Sequence, residues 1–176
     1  YICVGEFKDF SDDEKVLFFK RTGASFGRSA LLLSGGATLG MFHLGVIKAL
    51  WEHNLLPRVI SGSSAGSIIA AMTCTRSDAQ LSHMFEPGSI NLAAFQRMSF
   101  TKLIKGGTLM DSGHLAACLN ANIGEESFVH AFERTRRILG VTVSPAELNQ
   151  QPRLLNYLTA PNVMVKKAVQ ASCAIP

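Results

Sequence analysis

Two apolar runs, each ending in a glycine-rich turn and continuing into a helical pattern, constrain the fold of this chain most strongly. The first spans residues 30–40 and reads ALLLSGGATLG, and the second spans residues 58–71 and reads RVISGSSAGSIIAA. A strand that ends in glycines and leads into a helix directs backbone N–H groups at whatever lies above the sheet edge. The sequence therefore predicts strand, helix and strand in a right-handed βαβ unit.

The residues around these turns give more detailed expectations. We predict a buried strand at 30–33, apolar on both faces as in the middle of a parallel sheet, a helix at 38–54 and a second helix at 64–74. The helix at 38–54 carries five apolar residues on one face at a spacing of three to four: Leu39, Phe42, Val46, Ile47 and Leu50. Elsewhere the patterns predict helices at 11–23, 78–85, 92–105, 112–120, 126–134 and 163–172, and strands at 137–143 and 153–159.

Composition limits the class of protein. The chain has 176 residues, of which 47% are hydrophobic and 17% charged, and this is typical of one globular domain. The net charge is +4, but no long Lys/Arg tract is present, so nucleic acid is not an expected partner. Four cysteines, widely spaced and without a Cys-x-x-Cys pair, predict free, buried thiols in a reducing compartment and no zinc site: Cys3, Cys74, Cys118 and Cys173.

The first residues and the apolar run at 30–50 indicate where in the cell the protein is expected. The first residues do not have the pattern of a signal peptide, and we expect none. Glycines, His43 and Lys48 interrupt the apolar run at 30–50, which makes it a poor membrane span. We therefore expect a cytoplasmic or peripheral membrane protein. Because the chain opens on Tyr1 and closes on Pro176 in mid-pattern, we expect one domain, residues 1–176, truncated from a longer protein.

The second turn matches the pattern Gly-x-Ser-x-Gly, centred on Ser64. In a nucleophile elbow the serine sits on a sharp turn between strand and helix, so the positions two residues away, Gly62 and Gly66, must be small. Ser63 does not fit, because the glycine spacing is centred on Ser64. The pattern alone is a weak signal and a structural turn is the alternative, but the preceding β-branched run and the following apolar helix favour a nucleophile.

The first turn has three interpretations. A phosphate-binding P-loop fails because no Gly-Lys-Ser/Thr follows, and a dinucleotide-binding turn would need glycine in place of Ala37 and an acid after the next strand. The third interpretation is an oxyanion hole built on Gly35-Gly36-Ala37, with the N–H groups of Gly36 and Ala37 beside that of Ala65. Acyl transfer needs such donors because negative charge develops on the carbonyl oxygen.

Taken together, these motifs resemble those of the patatin-like lipid acyl hydrolases. The resemblance rests on Gly35-Gly36-Ala37 with Gly40, followed by the turn at 62–66, and on two later segments. Residues 154–162 (LLNYLTAPN) and 171–176 (ASCAIP) look like the block before the second catalytic motif of the family. The sequences of these two segments and of residues 42–46 (FHLGV) are most similar to those of the triacylglycerol lipases of fungi and plants, with bacterial relatives. The resemblance covers about 29–176 and leaves 1–28 as an upstream helical segment.

The resemblance implies a three-layer αβα fold with a mostly parallel central sheet, and a Ser-Asp dyad that needs no cofactor or metal. Ser64 would be acylated by an acylglycerol or phospholipid ester and released by water. The dyad aspartate would belong to an Asp-Gly dipeptide, and this chain has none; Asp111 precedes Ser112-Gly113 and is better explained as a helix cap. We therefore expect these 176 residues alone to be inactive.

Other interpretations remain open at this stage. A non-catalytic lipid-binding or scaffold module could keep the same fold, and a soluble thioesterase or peptidase could use the same elbow. His43 could complete a Ser-His triad, but its place along the helix favours a structural role. A lipid substrate and peripheral contact with a membrane or lipid-droplet surface are the expected partners. Lys166 and Lys167 are more polar than expected for the last helix.

Overall fold

The structure is a computed structural model, and it describes residues 10–25, 29–91, 112–147 and 149–174. The predicted helix at 92–105, the cap at Asp111 and the first cysteine, Cys3, lie outside these residues. The described elements are α1 (Asp12–Ser25), β1 (Ala30–Leu33), a 3-10 helix (Ala37–Met41), α2 (Phe42–Glu52), β2 (Val59–Ser63), α3 (Ala65–Cys74), α4 (Asp78–Met84), α5 (Ser112–Ile123), α6 (Phe128–Thr135), β3 (Ile138–Val143), β4 (Arg153–Leu155) and α7 (Val165–Cys173).

The four described strands form one sheet in the order β1-β2-β3-β4. Strands β1, β2 and β3 are parallel, with Leu33 opposite Gly62 and Gly62 opposite Val141, and β4 is antiparallel to β3. This confirms the α/β fold and the mostly parallel sheet. Because β1 and β2 are parallel neighbours, the two glycine turns that follow them lie at the same edge of the sheet.

The core is centred on α3, which packs between the sheet and other helices. All ten residues of α3 are buried, as expected for a helix that is apolar on every side. It contacts β1, β2 and β3, and α5 and α7 pack against it in turn. Ile60, Leu139 and Val141 join the same buried cluster from the sheet. The elbow after β2 is therefore attached to the most buried helix of the described structure.

The prediction that the first strand is buried on both faces was wrong. Leu33 is buried, but Leu32 is 76% exposed. The register pairs Leu32 with Ser61, on the face of the sheet opposite to α3, where Leu154 is also 49% exposed. An apolar run does not reveal strand order, and β1 lies at the edge of the described sheet rather than in its middle.

The predicted apolar face of the next helix is only partly buried. The segment begins as a 3-10 helix and becomes α-helical at Phe42, and Ile47 is fully buried. Leu39, Phe42 and Val46 are 65%, 73% and 47% exposed. The helical spacing placed these residues correctly along the chain, but the described elements do not cover them.

The strand predicted at 153–159 ends at Leu155 instead. The side-chain oxygen of Asn156 accepts hydrogen bonds from the N–H groups of Leu158 (2.8 Å) and Thr159 (3.0 Å). Asparagine commonly closes turns in this way, by bonding the backbone two residues on. The turn ends the strand, although the apolar residues that follow suggested a longer one.

The last helix packs despite its two lysines. Val165, Ala168, Val169 and Cys173 of α7 are buried, while Lys166 reaches Asn120 at 2.8 Å and also pairs with Glu125.

Cys74, Cys118 and Cys173 are free and buried, as predicted. No helix among the described residues is long and apolar enough to cross a membrane.

Candidate active site

Ser64 occupies the single position between β2 and α3 and has a strained backbone. Its φ is 50° and its ψ is −124°, and Ala65 is the first residue of α3. Such a conformation costs about 1–3 kcal/mol for a residue other than glycine, and it persists only where the surrounding structure imposes it. Ser64 also lies at the N-terminus of the helix, where the dipole favours negative charge. This is the geometry of the predicted elbow.

The two glycines of the elbow have no room for a side chain. A Cβ on Gly62 would lie 2.4 Å from the carbonyl oxygen of Gly66, and one on Gly66 would lie 2.2 Å from that of Leu33. Both neighbours are backbone atoms, which cannot swing away as a side chain can. The steric reason for glycine two residues on either side of Ser64 is therefore present in the structure.

The first glycine turn is in direct contact with the elbow. A Cβ on Gly35 would lie 3.3 Å from the Cβ of Ser64 and 4.0 Å from its Oγ. A Cβ on Gly40 would lie only 2.6 Å from that of Ala65. Glycine at 35 and 40 thus lets the two turns touch. The structure brings together residues that are about 30 positions apart in the sequence.

The predicted oxyanion donors belong to the two turns that meet in this region. Gly36 caps the 3-10 helix and its carbonyl accepts a hydrogen bond from the N–H of Leu39 at 2.9 Å. Ala37 follows with a φ of 54°, a second residue other than glycine in the left-handed region. The first N–H groups of a helix have no acceptor within the helix, and this applies to Ala65 in α3. The predicted donor residues Gly36, Ala37 and Ala65 therefore lie in two touching turns.

Ser172 of α7 is a residue of the site that the sequence did not assign. The N–H of Ser64 donates to its Oγ at 2.9 Å, and the hydroxyl of Ser172 donates to the carbonyl of Thr142, in β3, at 2.6 Å. The only signal for it was its place in the segment at 171–176, which the family resemblance singled out without a role.

Buried side chains of α3 and α7 lie against the elbow. Ser67 is fully buried, and its hydroxyl donates to the carbonyl of Ser64 at 2.6 Å. Burial raises the pKa of the Cys173 thiol to about 11, against the opposing effect of hydrogen bonds with the side chains of Ser67 and Ser64. The thiol is therefore neutral at physiological pH, and a neutral buried thiol is not a competing nucleophile.

His43 anchors the first turn. Its Nε2 lies 3.0 Å from the carbonyl oxygen of Ser34, and because a carbonyl only accepts, the ring nitrogen must be the donor. This contact ties the end of β1 to the start of α2. It matches the structural role expected for His43.

None of the aspartates that the structure describes bonds to Ser64. Asp78 pairs with Arg137, which precedes β3 and therefore lies at the sheet edge opposite to the elbow. Asp12 pairs with Lys15 within α1 at 3.1 Å.

Two cavities among the described residues lie away from the two turns. One of ≈ 460 Å³ lies between α4, α5 and α6, and one of ≈ 840 Å³ is lined by Trp51, Arg58, Arg136 and Arg137, near the starts of β2 and β3. Ser64 lines neither. Among the described residues the surface beside the first turn is exposed and apolar instead, since Leu39 lies next to Gly36 and, like Phe42, is exposed.

Fold and site define a class: an α/β protein in which a serine elbow and a glycine turn meet at the carboxyl edge of parallel strands. The family model described as "Patatin-like phospholipase" matches residues 31–176. The chain belongs to this family, and the resemblance seen in its motifs is confirmed.

Named relatives extend the match over nearly the whole chain. Triacylglycerol lipase SDP1L of Arabidopsis thaliana is 43% identical over 99% of the chain. Triacylglycerol lipase 4 of Saccharomyces cerevisiae is 40% identical over 96%, and triacylglycerol lipase ptl3 of Schizosaccharomyces pombe is 39% identical over 97%. The chain spans only 22%, 20% and 38% of the lengths of these three relatives.

A solved structure shares the fold. A chain of the crystal structure of full-length ExoU in complex with full-length SpcU, from the type III secretion system of Pseudomonas aeruginosa, covers 84% of this chain with a TM-score of 0.50. The match covers 38% of that chain at 23% identity, so the likeness concerns the fold alone.

Proposed function

We propose that this chain is the nucleophile-bearing part of a serine lipid acyl hydrolase that cleaves carboxylic esters of acylglycerols or phospholipids. The observation that carries the proposal is the contact between Gly35 and the strained Ser64, which sets a serine beside a turn of backbone donors. Membership of the patatin-like family supports the same reaction class. The names of the relatives favour acylglycerols among the possible esters.

In the proposed reaction the Oγ of Ser64 attacks the ester carbonyl and forms a tetrahedral intermediate. The N–H groups of Gly36, Ala37 and Ala65 donate to its oxyanion, and one such donor is typically worth about 3–4 kcal/mol in the barrier. The alcohol leaves with the proton taken from Ser64, and an acyl-enzyme remains. Water then attacks the acyl-enzyme, releases the fatty acid and returns the proton to Ser64.

The general base of this scheme is an aspartate in an Asp-Gly dipeptide of the longer protein. The sequence contains no such dipeptide, and among the described aspartates Asp12 pairs with Lys15 and Asp78 with Arg137. In this scheme the 176 residues alone have no base to activate Ser64. An esterase rate from these residues alone that vanishes in Ser64→Ala would contradict the assignment of the base.

The apolar surface beside the first turn supports a lipid substrate. Leu39 lies against Gly36, and both Leu39 and Phe42 are well exposed. An acyl chain held over Ser64 would cover such residues, as would a membrane or lipid-droplet surface on which the protein docks.

The experiment is to label the full-length protein with a long-chain fluorophosphonate and then to assay triolein, phosphatidylcholine and a short-chain ester. We expect covalent labelling at Ser64 and hydrolysis of a long-chain lipid, and loss of both by at least about 10³-fold in Ser64→Ala. Ser63→Ala is the matched control, because it removes the neighbouring hydroxyl at the end of β2 and should retain activity.

The same experiment separates the alternative functions. An intact full-length protein that binds lipid vesicles but neither labels at Ser64 nor hydrolyses any ester would be a non-catalytic lipid-binding module. Labelling combined with activity on short soluble esters only would indicate a thioesterase-like enzyme and would contradict the lipid substrate.

A further inference from the structure

A strained nucleophile needs a contact that imposes its conformation. The backbone of Ser64 has a φ of 50° and a ψ of −124°, which a serine does not adopt without constraint. Both of its backbone polar groups are hydrogen-bonded. Its carbonyl accepts from the N–H and hydroxyl of Ser67, within α3, and its N–H donates across the molecule to Ser172.

The hydroxyl of Ser172 joins three elements at one point. It accepts from the N–H of Ser64 at 2.9 Å and donates to the carbonyl of Thr142 at 2.6 Å. A serine hydroxyl has one O–H to donate, and here that donor is committed to the end of β3. Its oxygen therefore faces the elbow as an acceptor, and the position of the Ser64 amide is fixed relative to β3 as well as to α7.

We propose that Ser172 is a positioning residue for the nucleophile: its hydroxyl holds the elbow in the conformation that aims the Oγ of Ser64. The inference rests on the proposed function. The same contact limits which backbone N–H groups of the elbow can donate to an oxyanion. Because the N–H of Ser64 is occupied by Ser172, the elbow contributes the N–H of Ala65 and not that of Ser64 itself.

Other contacts of helix α7 hold it in place independently of the Ser172 hydroxyl. Val165, at its start, donates from its N–H to the carbonyl of Glu126 at 2.8 Å, and Lys166 bonds Asn120 at 2.8 Å. Val169 and Cys173 are buried in the core beside Ser172. Since these contacts do not depend on the hydroxyl, the loss of the hydroxyl should leave α7 in place and release only the elbow.

The test compares Ser172→Ala and Ser172→Thr in the full-length protein. We expect Ser172→Ala to lower kcat and the rate of fluorophosphonate labelling at Ser64 by about 10- to 100-fold, because a small misplacement of a reacting group costs this much. KM should change less than about twofold, since both hydrogen bonds of the Ser172 hydroxyl go to the backbone of the protein, at Ser64 and Thr142. Ser172→Thr keeps a hydroxyl and should restore both rates to within about threefold of wild type.

Thr135→Ala is the matched control at the other end of α3. The hydroxyl of Thr135 is also half-buried and also joins two elements, bonding the carbonyls of Cys74 (2.9 Å) and Ala131 (2.8 Å). Ser172 therefore holds the start of α3 and Thr135 holds its end. A general loss of stability would affect both variants, whereas a specific effect on the nucleophile would appear only in Ser172→Ala.

Amide hydrogen exchange gives a measurement that does not need activity. Peptides that contain the Ser64 amide should exchange faster in Ser172→Ala than in wild type, and at the wild-type rate in Thr135→Ala. If wild-type protein does not label at Ser64, the proposed function is wrong. If exchange of the Ser64 amide is unchanged in Ser172→Ala, the hydrogen bond between Ser172 and Ser64 does not hold the elbow. Unchanged exchange, or Ser172→Ala labelling and turning over within about threefold of wild type, overturns the inference.

Discussion

The two glycine turns of the site have the same local design but very different surroundings. Each follows a strand of the same parallel sheet and leads into a helix. At the elbow the following helix α3 is entirely buried, and Gly62 and Gly66 would each collide with backbone within 2.5 Å if they carried a Cβ. At the first turn Gly35 and Gly36 are exposed, and the nearest atom to a Cβ on Gly36 is 3.5 Å away.

The position of the two strands explains the difference. Strand β2 has a neighbour on each side, and so the turn after it is enclosed, whereas β1 has a described neighbour on one side only. The elbow is fixed by packing, and the first turn by a few contacts, chiefly those of His43 and Gly40. A nucleophile must be held still and oxyanion donors must face the substrate, so each turn suits the role proposed for it.

The largest expected effect is on stability at the elbow. In Gly66→Ala the new methyl group would lie 2.2 Å from the carbonyl oxygen of Leu33, and backbone of β1 would have to move. We expect the full-length protein to lose about 3 kcal/mol or more of unfolding free energy, measured by denaturant unfolding, or to fail to accumulate as soluble protein.

Gly45→Ala is the control for this variant. Gly45 lies in α2 and a Cβ there meets nothing within 4 Å. Alanine should therefore stabilise the helix by about 0.5–1 kcal/mol. If Gly66→Ala were tolerated as well as Gly45→Ala, the elbow would not be the tightly packed turn described above.

The second prediction concerns activity at the first turn. In Gly35→Ala the new methyl group would lie 3.3 Å from the Cβ of Ser64, which requires a shift of a few tenths of an ångström. We expect less than about 1 kcal/mol of lost stability because the turn is exposed and can adjust. Turnover should fall by about 10- to 100-fold, because the adjustment displaces the donors from Ser64.

Steady-state kinetics and denaturant unfolding on the same preparation check this prediction. A loss of stability as large as that of Gly66→Ala would show that both turns are packed equally tightly. Unchanged turnover would show that the contact between Gly35 and Ser64 is not needed for the reaction.

The strand, the turn at Ser64 and the following helix could be predicted from the sequence because their requirements are local. The spacing of Gly62 and Gly66 around Ser64 follows from the sharpness of one turn, and a short pattern captures it. The exposure of Leu32 and Phe42 was not predictable, because it depends on strand order and on which elements cover each face. Ser172 was missed since it meets Ser64 across 108 positions of sequence, and a serine hydroxyl carries no pattern that names a distant partner.

The smallest expected effect tests whether water is excluded from the thiol of Cys173, beside the elbow. Burial raises the pKa of Cys173 from 9.0 to about 11, so between these values the unfolded chain has released a thiol proton that the native protein still holds. The contribution to stability is complete below pH 9 and is lost as the pH rises towards 11. Between pH 8 and pH 10, wild type should lose about 1.4 kcal/mol more unfolding free energy than Cys173→Ala, compared by denaturant unfolding at each pH. Equal losses would mean that water reaches the thiol and that the elbow is no better enclosed than the first turn.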